Sequence, residues 1–209
     1  MLALSPMPET PSYPSPARPA RAPALLRIDR GHPRRAAVED FVRRVYGDCY
    51  GADVRQFAPV LVALHGEDGE IVAAAGYRPA QSGPLFLERY LSAPVQTLLG
   101  TGPAPARERI VEVGHLASTR AGEGRRLILL LGPHLAAQGF RWVVGTLTEE
   151  LRHLFVRLGI APLKLGLADP TVLGGEAAQW GSYYDHRPVV LAGHIEAALQ
   201  ALGRRRMLS

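Results

Sequence analysis

A glutamate inside an apolar strand is the first residue of this chain that asks for a chemical explanation. Glu112 stands between Val111 and Val113 in the run Ile110-Val111-Glu112-Val113-Gly114-His115-Leu116. A carboxylate in such surroundings is costly unless it is paired or used. Two readings are open. As a base it can take a proton, directly or through water, from an ammonium that must be neutral before it can act as a nucleophile. As a structural partner it can form an ion pair with Arg78, the other charge placed at a strand end. Arg78 can equally grip the carboxylate of a ligand with both arms of its guanidinium. A β-bulge at Gly114 would turn a backbone N–H of the same strand towards an oxyanion.

A second group of candidates follows that strand. Thr119-Arg120-Ala121-Gly122-Glu123-Gly124 places two glycines just before an apolar helical stripe. A helix start offers unpaired N–H groups and a partial positive charge, and glycines let the backbone approach closely, so such a loop can hold phosphate. Thr119, Arg120, Gly122, Gly124 and Arg125 are the candidate contacts. Glu123 adds charge of the wrong sign, and glycine turns between strand and helix also arise for purely structural reasons. Further on, Trp180, Tyr183 and Tyr184 cluster in a segment otherwise rich in Gly and Ala. Aromatic clusters of this kind serve cores as well as sites. His32, His65, His134, His153, His186 and His194 include no pair with metal-like spacing on one element, so no metal is expected. The chain lacks a G-x-S-x-G elbow, which disfavours serine-hydrolase chemistry.

The elements that must hold these residues can be read from periodicity. Residues 25–28 suit a first strand. Over 36–50, Val38, Phe41, Val42, Val45 and Cys49 fall on one helical face, which makes Cys49 a core thiol, while Glu39/Arg43 and Asp40/Arg44 are i,i+4 pairs on the other side. Residues 60–65 and 71–77 read as a hairpin closed by Gly66-Glu67-Asp68-Gly69. Short helical or irregular pieces follow at 85–91 and 95–99, with Glu88 and Arg89 expected as a solvated pair, and 100–107 is a loop. A strand at 109–116 leads to a helix striped by Leu127, Leu130, Leu131 and Leu135 and expected to kink at Pro133. A buried-type strand at 142–147, a helix marked by Leu151, Leu154, Phe155 and Leu158 and ended by Gly159, a strand at 188–192 and a helix at 195–202 complete the order. Strands alternating with helices point to an α/β sandwich around a mixed sheet.

Composition sets the outer bounds. The 209 residues carry 24 Lys+Arg, of which Lys164 is the sole lysine, against 19 Asp+Glu, for a formal charge of +5. The arginine excess reads as solvated surface or as a patch for an anionic partner; no zinc-finger spacing or base-stacking strand points to nucleic acid. Seven of the 18 prolines lie in residues 1–24, expected to form a disordered, Pro-rich arm. One domain is expected over 25–203, followed by a basic tail at 204–209 containing Arg204, Arg205 and Arg206. No apolar run exceeds five residues, against about 20 for a transmembrane helix. One cysteine excludes an internal disulfide framework, and the start lacks the basic and apolar regions of a signal peptide, so a cytoplasmic protein is expected.

The order of elements is that of the GNAT acyltransferase fold, and the 119–124 loop resembles that fold's Q/R-x-x-G-x-G loop with Thr in first place. The blocks Ala75-Gly76-Tyr77-Arg78-Pro79-Ala80, Leu85-Phe86-Leu87-Glu88-Arg89-Tyr90-Leu91 and Ile110 to Ala117 are sharper. Together with Thr146-Leu147-Thr148, Phe155-x-x-Leu158-Gly159 and Trp180-Gly181-Ser182-Tyr183-Tyr184-Asp185 they resemble the thermostable hemolysin family over residues 25–200. That resemblance implies a GNAT-like α/β/α sandwich with a central mixed, mostly antiparallel sheet. It also implies similarity to acyl-homoserine-lactone synthases, which acylate an amino-acid-derived amine. The donor would be acyl-CoA or an acyl-pantetheine on acyl carrier protein, with no tightly bound cofactor. By the same resemblance Glu112 and Tyr184 are the catalytic candidates, Tyr184 as the acid that protonates the departing thiolate. Arg78, Gly114, His115 and Trp180 would bind substrate. Family members usually carry Asn where this chain has His115, so its expected role is to orient rather than to act as base.

Two function classes therefore stand side by side. One is an N-acyltransferase moving an acyl group, fatty in the expected case, to a small amine such as an amino acid. The other is a non-catalytic, membrane-active hemolysin-type protein, or a GNAT fold that binds acyl groups without reacting. The absent spanning segment and the lack of alternating barrel strands weigh against membrane insertion.

Overall fold

A computed structural model describes residues 25–100, 102–120 and 122–206; the arm expected at 1–24 and the last residues of the basic tail lie outside the described residues. The apolar runs pair into one seven-stranded sheet. Its strands are β1 (Leu26–Ile28), β2 (Val60–His65), β3 (Ile71–Pro79), β4 (Ile110–Ser118), β5 (Trp142–Leu147), β6 (Leu163–Leu167) and β7 (Val189–His194), ordered β1-β2-β3-β4-β5-β7-β6. Every neighbouring pair is antiparallel except β4 and β5, which run parallel.

Alternation along the strands feeds both faces. Val60, Val62 and Leu64 of β2 join Val111 and Val113 of β4 in a core with Leu127, Leu131 and Leu135 of α2 (Glu123–Ala137) and Ile195 of α4 (Ile195–Arg206). Leu61 and Ala63 point the other way, against Val38, Phe41, Val42 and Val45 of α1 (Arg35–Tyr50). Ile110, Val144 and Val190 extend that face under the inserted segment between β3 and β4, meeting Leu85, Leu87, Val95 and Leu99. Helices and insert thus cover a sheet buried on both sides: a GNAT-like α/β/α sandwich with a mixed, mostly antiparallel sheet.

Several expectations need correction. Strand β6 carries the alternating Leu163, Leu165 and Leu167, yet it is short, contains Gly166 and lies half-exposed at the sheet edge, so its apolar signal is weak. The segment Pro170–His186 is a 3₁₀ strap broken by non-helical Gly174 and Gly181. α2 carries Pro133 inside it and continues to Ala137, and α4 continues to Arg206. Cys49 is exposed, not a core thiol. At that end of α1 the inward side is filled instead by Tyr46, which stacks on Tyr183 of the strap with ring centroids 6.4 Å apart.

Two irregularities in the middle of the sheet prepare the site. Between β3 and β4 the register steps from Ala74↔Ala117 to Gly76↔Gly114, which leaves one extra residue on β4. The bulge falls at His115, whose φ of +53° is left-handed, while Gly114 itself stays paired opposite Gly76. Between β4 and β5 the ladder runs from Ile110↔Trp142 to Glu112↔Val144 and stops there, although both strands continue. Gly145 marks the last close approach: a Cβ on it would stand 2.7 Å from the Val113 carbonyl O.

Candidate active site

Where β4 and β5 part, a cavity of about 260 Å³ opens on the α1 side of the sheet. Its floor is Glu112, Val113, Gly114, His115 and Leu116 of β4 with Thr146 and Thr148 at the end of β5. Arg78 borders it from β3, Tyr46 and Tyr50 from α1, Phe86 and Tyr90 from the insert, and Trp180, Tyr183 and Tyr184 from the strap. The structure thus brings Arg78, Glu112, Gly114, His115, Trp180 and Tyr184 into one cavity. It does not bring Thr119, Arg120, Gly122, Gly124 and Arg125 there.

Glu112 is fixed by the insert. Its Oε2 accepts the Phe86 N–H at 3.1 Å and its Oε1 accepts the Leu87 N–H at 2.8 Å. The carboxylate therefore anchors the start of the 3₁₀ turn Phe86–Tyr90, whose first N–H groups have no partner within the turn. Burial raises the Glu112 carboxyl above the usual glutamate range, opposed by those two N–H groups and by the nearby positive charge of Arg78. No ion pair joins Glu112 to Arg78 among the described residues, although the two are register partners. The Arg78 guanidinium makes no side-chain hydrogen bond among the described residues either. A partly buried cation lines the cavity beside a carboxylate occupied by backbone.

Neighbouring charges hold the insert in place. The expected Glu88/Arg89 surface pair does not form. Glu88 accepts from the backbone N–H groups of Leu85 at 2.8 Å and Val95 at 3.0 Å, and pairs with Arg107 at 2.7 Å. Burial opposes ionisation, but Arg107 and the two N–H groups hold the carboxyl down to about 2. Arg107 also donates to the carbonyls of Ala80 and Gly83, tying both ends of the 80–95 segment together. Arg89 instead meets Glu176 of the strap at 2.5 Å and lies over the Phe86 ring.

His115 is turned into a tight space by its backbone. Its Nε2 is 3.1 Å from the Gln56 carbonyl O, and its buried Nδ1 has no hydrogen-bond partner among the described residues. Gly76 is what makes room for the ring, since a Cβ there would stand 2.9 Å from Nδ1. Burial pushes the imidazole down to about 4, so the ring is neutral near pH 7 and Nε2–H donates to Gln56. A neutral, tethered imidazole orients the chain around the bulge.

The strap closes the cavity from the side. The Asp53 N–H donates to the Gln179 carbonyl at 2.7 Å, the Ser182 hydroxyl to the Tyr50 carbonyl at 3.2 Å, and the Tyr183 hydroxyl to the Thr146 carbonyl at 3.2 Å. A Cβ at Gly181 would overlap the Tyr50 carbonyl, so only glycine permits this contact. The neighbouring Tyr184 places its hydroxyl 2.6 Å from that of Tyr90. Tyr46, Tyr50, Phe86 and Tyr90 were not singled out as site residues from sequence. The i,i+4 spacing of Tyr46 and Tyr50 was a signal for the first two.

A second, apolar cavity of about 110 Å³ lies on the opposite side of the sheet, lined by residues of α2, α4, β5 and β7. Val113 and Leu116 line both cavities, so the parted strands form the wall between them. The glycine loop lies beyond both. Arg120 pairs with Asp68 of the β2–β3 turn at 2.9 Å, Thr119 N–H continues the ladder to the Val72 carbonyl, and Gly122 takes φ +85° just before α2. Gly124 sits against Ser118, where a Cβ would be 3.0 Å from the hydroxyl. Arg125 is exposed. Among the described residues no cluster of His, Cys, Asp and Glu could hold a metal ion, and no helix is long and apolar enough to cross a membrane.

Comparison with known proteins agrees with this architecture. The family profile described as Thermostable hemolysin matches residues 28–199. Among solved structures, BjaI, a CoA-dependent acyl-homoserine lactone synthase with SAM and isopentyl-CoA, superposes with a TM-score of 0.61 at 14% identity, covering 88% of this chain and 89% of that one. The AHL synthase LasI gives 0.58 at 16% identity, covering 87% and 95%. FeeM, an N-acyl amino acid synthase from uncultured soil microbes, gives 0.54 at 15% identity, covering 85% and 94%. No curated protein matches the sequence significantly.

Proposed function

The chain belongs to the thermostable hemolysin family, and from that premise we propose that it is an N-acyltransferase, moving an acyl group from a pantetheine thioester to the amine of an amino acid. The observation that carries this reading is the cavity at the parted β4 and β5, where Arg78 has no acid partner among the described residues and stands next to Glu112. Those two groups match the carboxylate and the ammonium of one zwitterion. The solved structures of similar fold include synthases named for the same kind of product.

In this mechanism the thioester carbonyl lies at the His115 bulge, where a backbone N–H of β4 faces the developing oxyanion. The acyl chain passes between the strands into the apolar cavity beyond Val113 and Leu116. Glu112, its carboxyl raised by burial, draws a proton from the ammonium through its free lone pairs or a water. The amine nitrogen then attacks the carbonyl carbon, a C–N bond forms, and the nitrogen gives up its second proton to solvent. The C–S bond breaks, sulfur keeps the electron pair, and the Tyr184 hydroxyl supplies its proton. The products are an amide and a free thiol. The exposed Arg125 and the start of α2 are suited to the donor's phosphates, on CoA or on a carrier protein.

The test is direct. Purified protein is incubated with acyl-CoA or acyl carrier protein and a mixture of amino acids, while thiol release is followed optically and products by mass spectrometry. Amide formation from either donor is expected. Thioesters left intact with every acceptor would overturn the reading.

A further inference from the structure

Tyr90 and Tyr184 come from distant parts of the chain, one from the insert and one from the strap, and their hydroxyls meet at 2.6 Å on the cavity wall. Each is tied down separately. Tyr90 closes the 3₁₀ turn whose first two N–H groups sit on the Glu112 carboxylate, and its ring packs edge-on against Phe86 at 5.9 Å. Tyr184 follows Tyr183, whose hydroxyl is bonded to the β5 carbonyl of Thr146, and the two rings are perpendicular at 5.4 Å. Neither hydroxyl has another side-chain or backbone partner among the described residues.

One of two such hydroxyls must donate to the other, and the recipient keeps its own proton free for the cavity. Arg89, the residue before Tyr90, favours negative charge on either ring, so the choice of donor falls to the chemistry of the step. We propose that Tyr90 is a positioning residue that donates its O–H to the Tyr184 oxygen, aiming the Tyr184 proton into the cavity and stabilising the phenolate left when that proton departs. The proposal rests on the reading of Tyr184 as the acid of the acyl transfer. In the step itself, the C–S bond breaks, sulfur takes the pair and bonds the Tyr184 proton. The Tyr184 phenolate then accepts the Tyr90 hydrogen bond until a proton lost by the attacking ammonium restores it through solvent. The Tyr90 O–H bond does not break.

Burial raises the phenol of Tyr184 and the Tyr90 hydrogen bond pulls it back, while the Tyr90 phenol is raised by burial and by that same bond. The 2.6 Å separation lets either hydroxyl donate, and the role of Tyr184 as acid makes Tyr90 the donor. The two directions set the sign of the test.

The full-length chain is compared with Tyr90→Phe, Tyr184→Phe and the double variant, all checked for native thermal unfolding. Phenolate absorbance is titrated without substrate, and the Tyr184 transition is identified as the one missing from Tyr184→Phe. In Tyr90→Phe that transition should move to higher pH by about one unit. Loss of turnover should be on the order of tenfold, in kcat with KM unchanged, and the double variant should be no worse than Tyr184→Phe. An unmoved Tyr184 transition, or one moved to lower pH, would overturn the proposal, as would additive losses. A shifted transition in a protein that transfers no acyl group to any acceptor would uphold the hydroxyl relationship and remove the acyltransferase reading instead.

Discussion

Arg78 and Glu112 stand opposite one another in the β3–β4 ladder, yet the Glu112 carboxylate accepts from the N–H groups of Phe86 and Leu87, and the arginine has no acid partner among the described residues. The carboxylate therefore has a structural duty and, in the proposed reaction, a chemical one. These duties can be separated. Glu112→Gln keeps one acceptor oxygen but turns an amide N–H₂ against the second backbone N–H, a loss of about 1–3 kcal/mol in stability. Turnover should fall further, by about 100-fold or more, because the base is gone. Thermal unfolding and initial rates read the two effects independently; a variant with full activity would remove Glu112 from the chemistry.

Arg78→Met should leave the fold intact, since the guanidinium holds no partner among the described residues. It should raise KM for a carboxylate-bearing acceptor by on the order of 10–100-fold. An uncharged amine acceptor should be far less affected. Equal effects on both acceptors would show that Arg78 does not read the carboxylate.

Glu88 sets a pH dependence for the insert. Its carboxyl is held down to about 2 against an ordinary value of 4.5. A depressed carboxyl contributes stability that is present in full above the ordinary value and lost as pH falls towards 2. Acid unfolding monitored between pH 5 and pH 2 should therefore show a loss on the order of 3 kcal/mol from this group. Arg107→Met should flatten that part of the curve and lower stability at neutral pH.

Gly145→Ala places a Cβ against the Val113 carbonyl where the strands begin to part. Backbone cannot yield as a side-chain tip can, so the expected cost is about 1–3 kcal/mol. Because the shift falls on the wall between the two cavities, long acyl donors should lose more activity than acetyl donors. An acyl-length series on the variant checks this.

Pure protein, without any acyl donor, should release no dye from liposomes. Release at protein concentrations where transfer is undetectable would favour the membrane-active alternative.

Much of the architecture was legible because it is local. Periodicity marks α1, the β2–β3 hairpin, β4, α2 and β5, and a carboxylate set between two valines marks Glu112. Edge placement hid β6, whose exposed residues and Gly166 blur the alternation that a buried strand shows. The strap 170–186 gave no helical stripe because its Gly174 and Gly181 break the period. What Glu112 touches was not legible at all: Phe86 and Leu87 are about two dozen residues away, and their role depends on backbone N–H groups rather than on side-chain type. For the same reason Tyr90, an ordinary aromatic in an irregular stretch, carried no sign of its meeting with Tyr184. The bulge was anticipated on β4 but assigned to glycine; it fell one residue later, on His115.

That placement bears on how position 115 can vary. The resemblance leads one to expect Asn there, and as acids, bases or ligands Asn and His have little in common. What they share is tolerance of left-handed backbone, in which Asn, Asp and His are enriched among non-glycine residues. With φ at +53°, the dihedral angle does the selecting. Either side chain tolerates this backbone, while a β-branched residue such as valine would strain the bulge and, in the proposed reaction, displace the N–H assigned to the oxyanion.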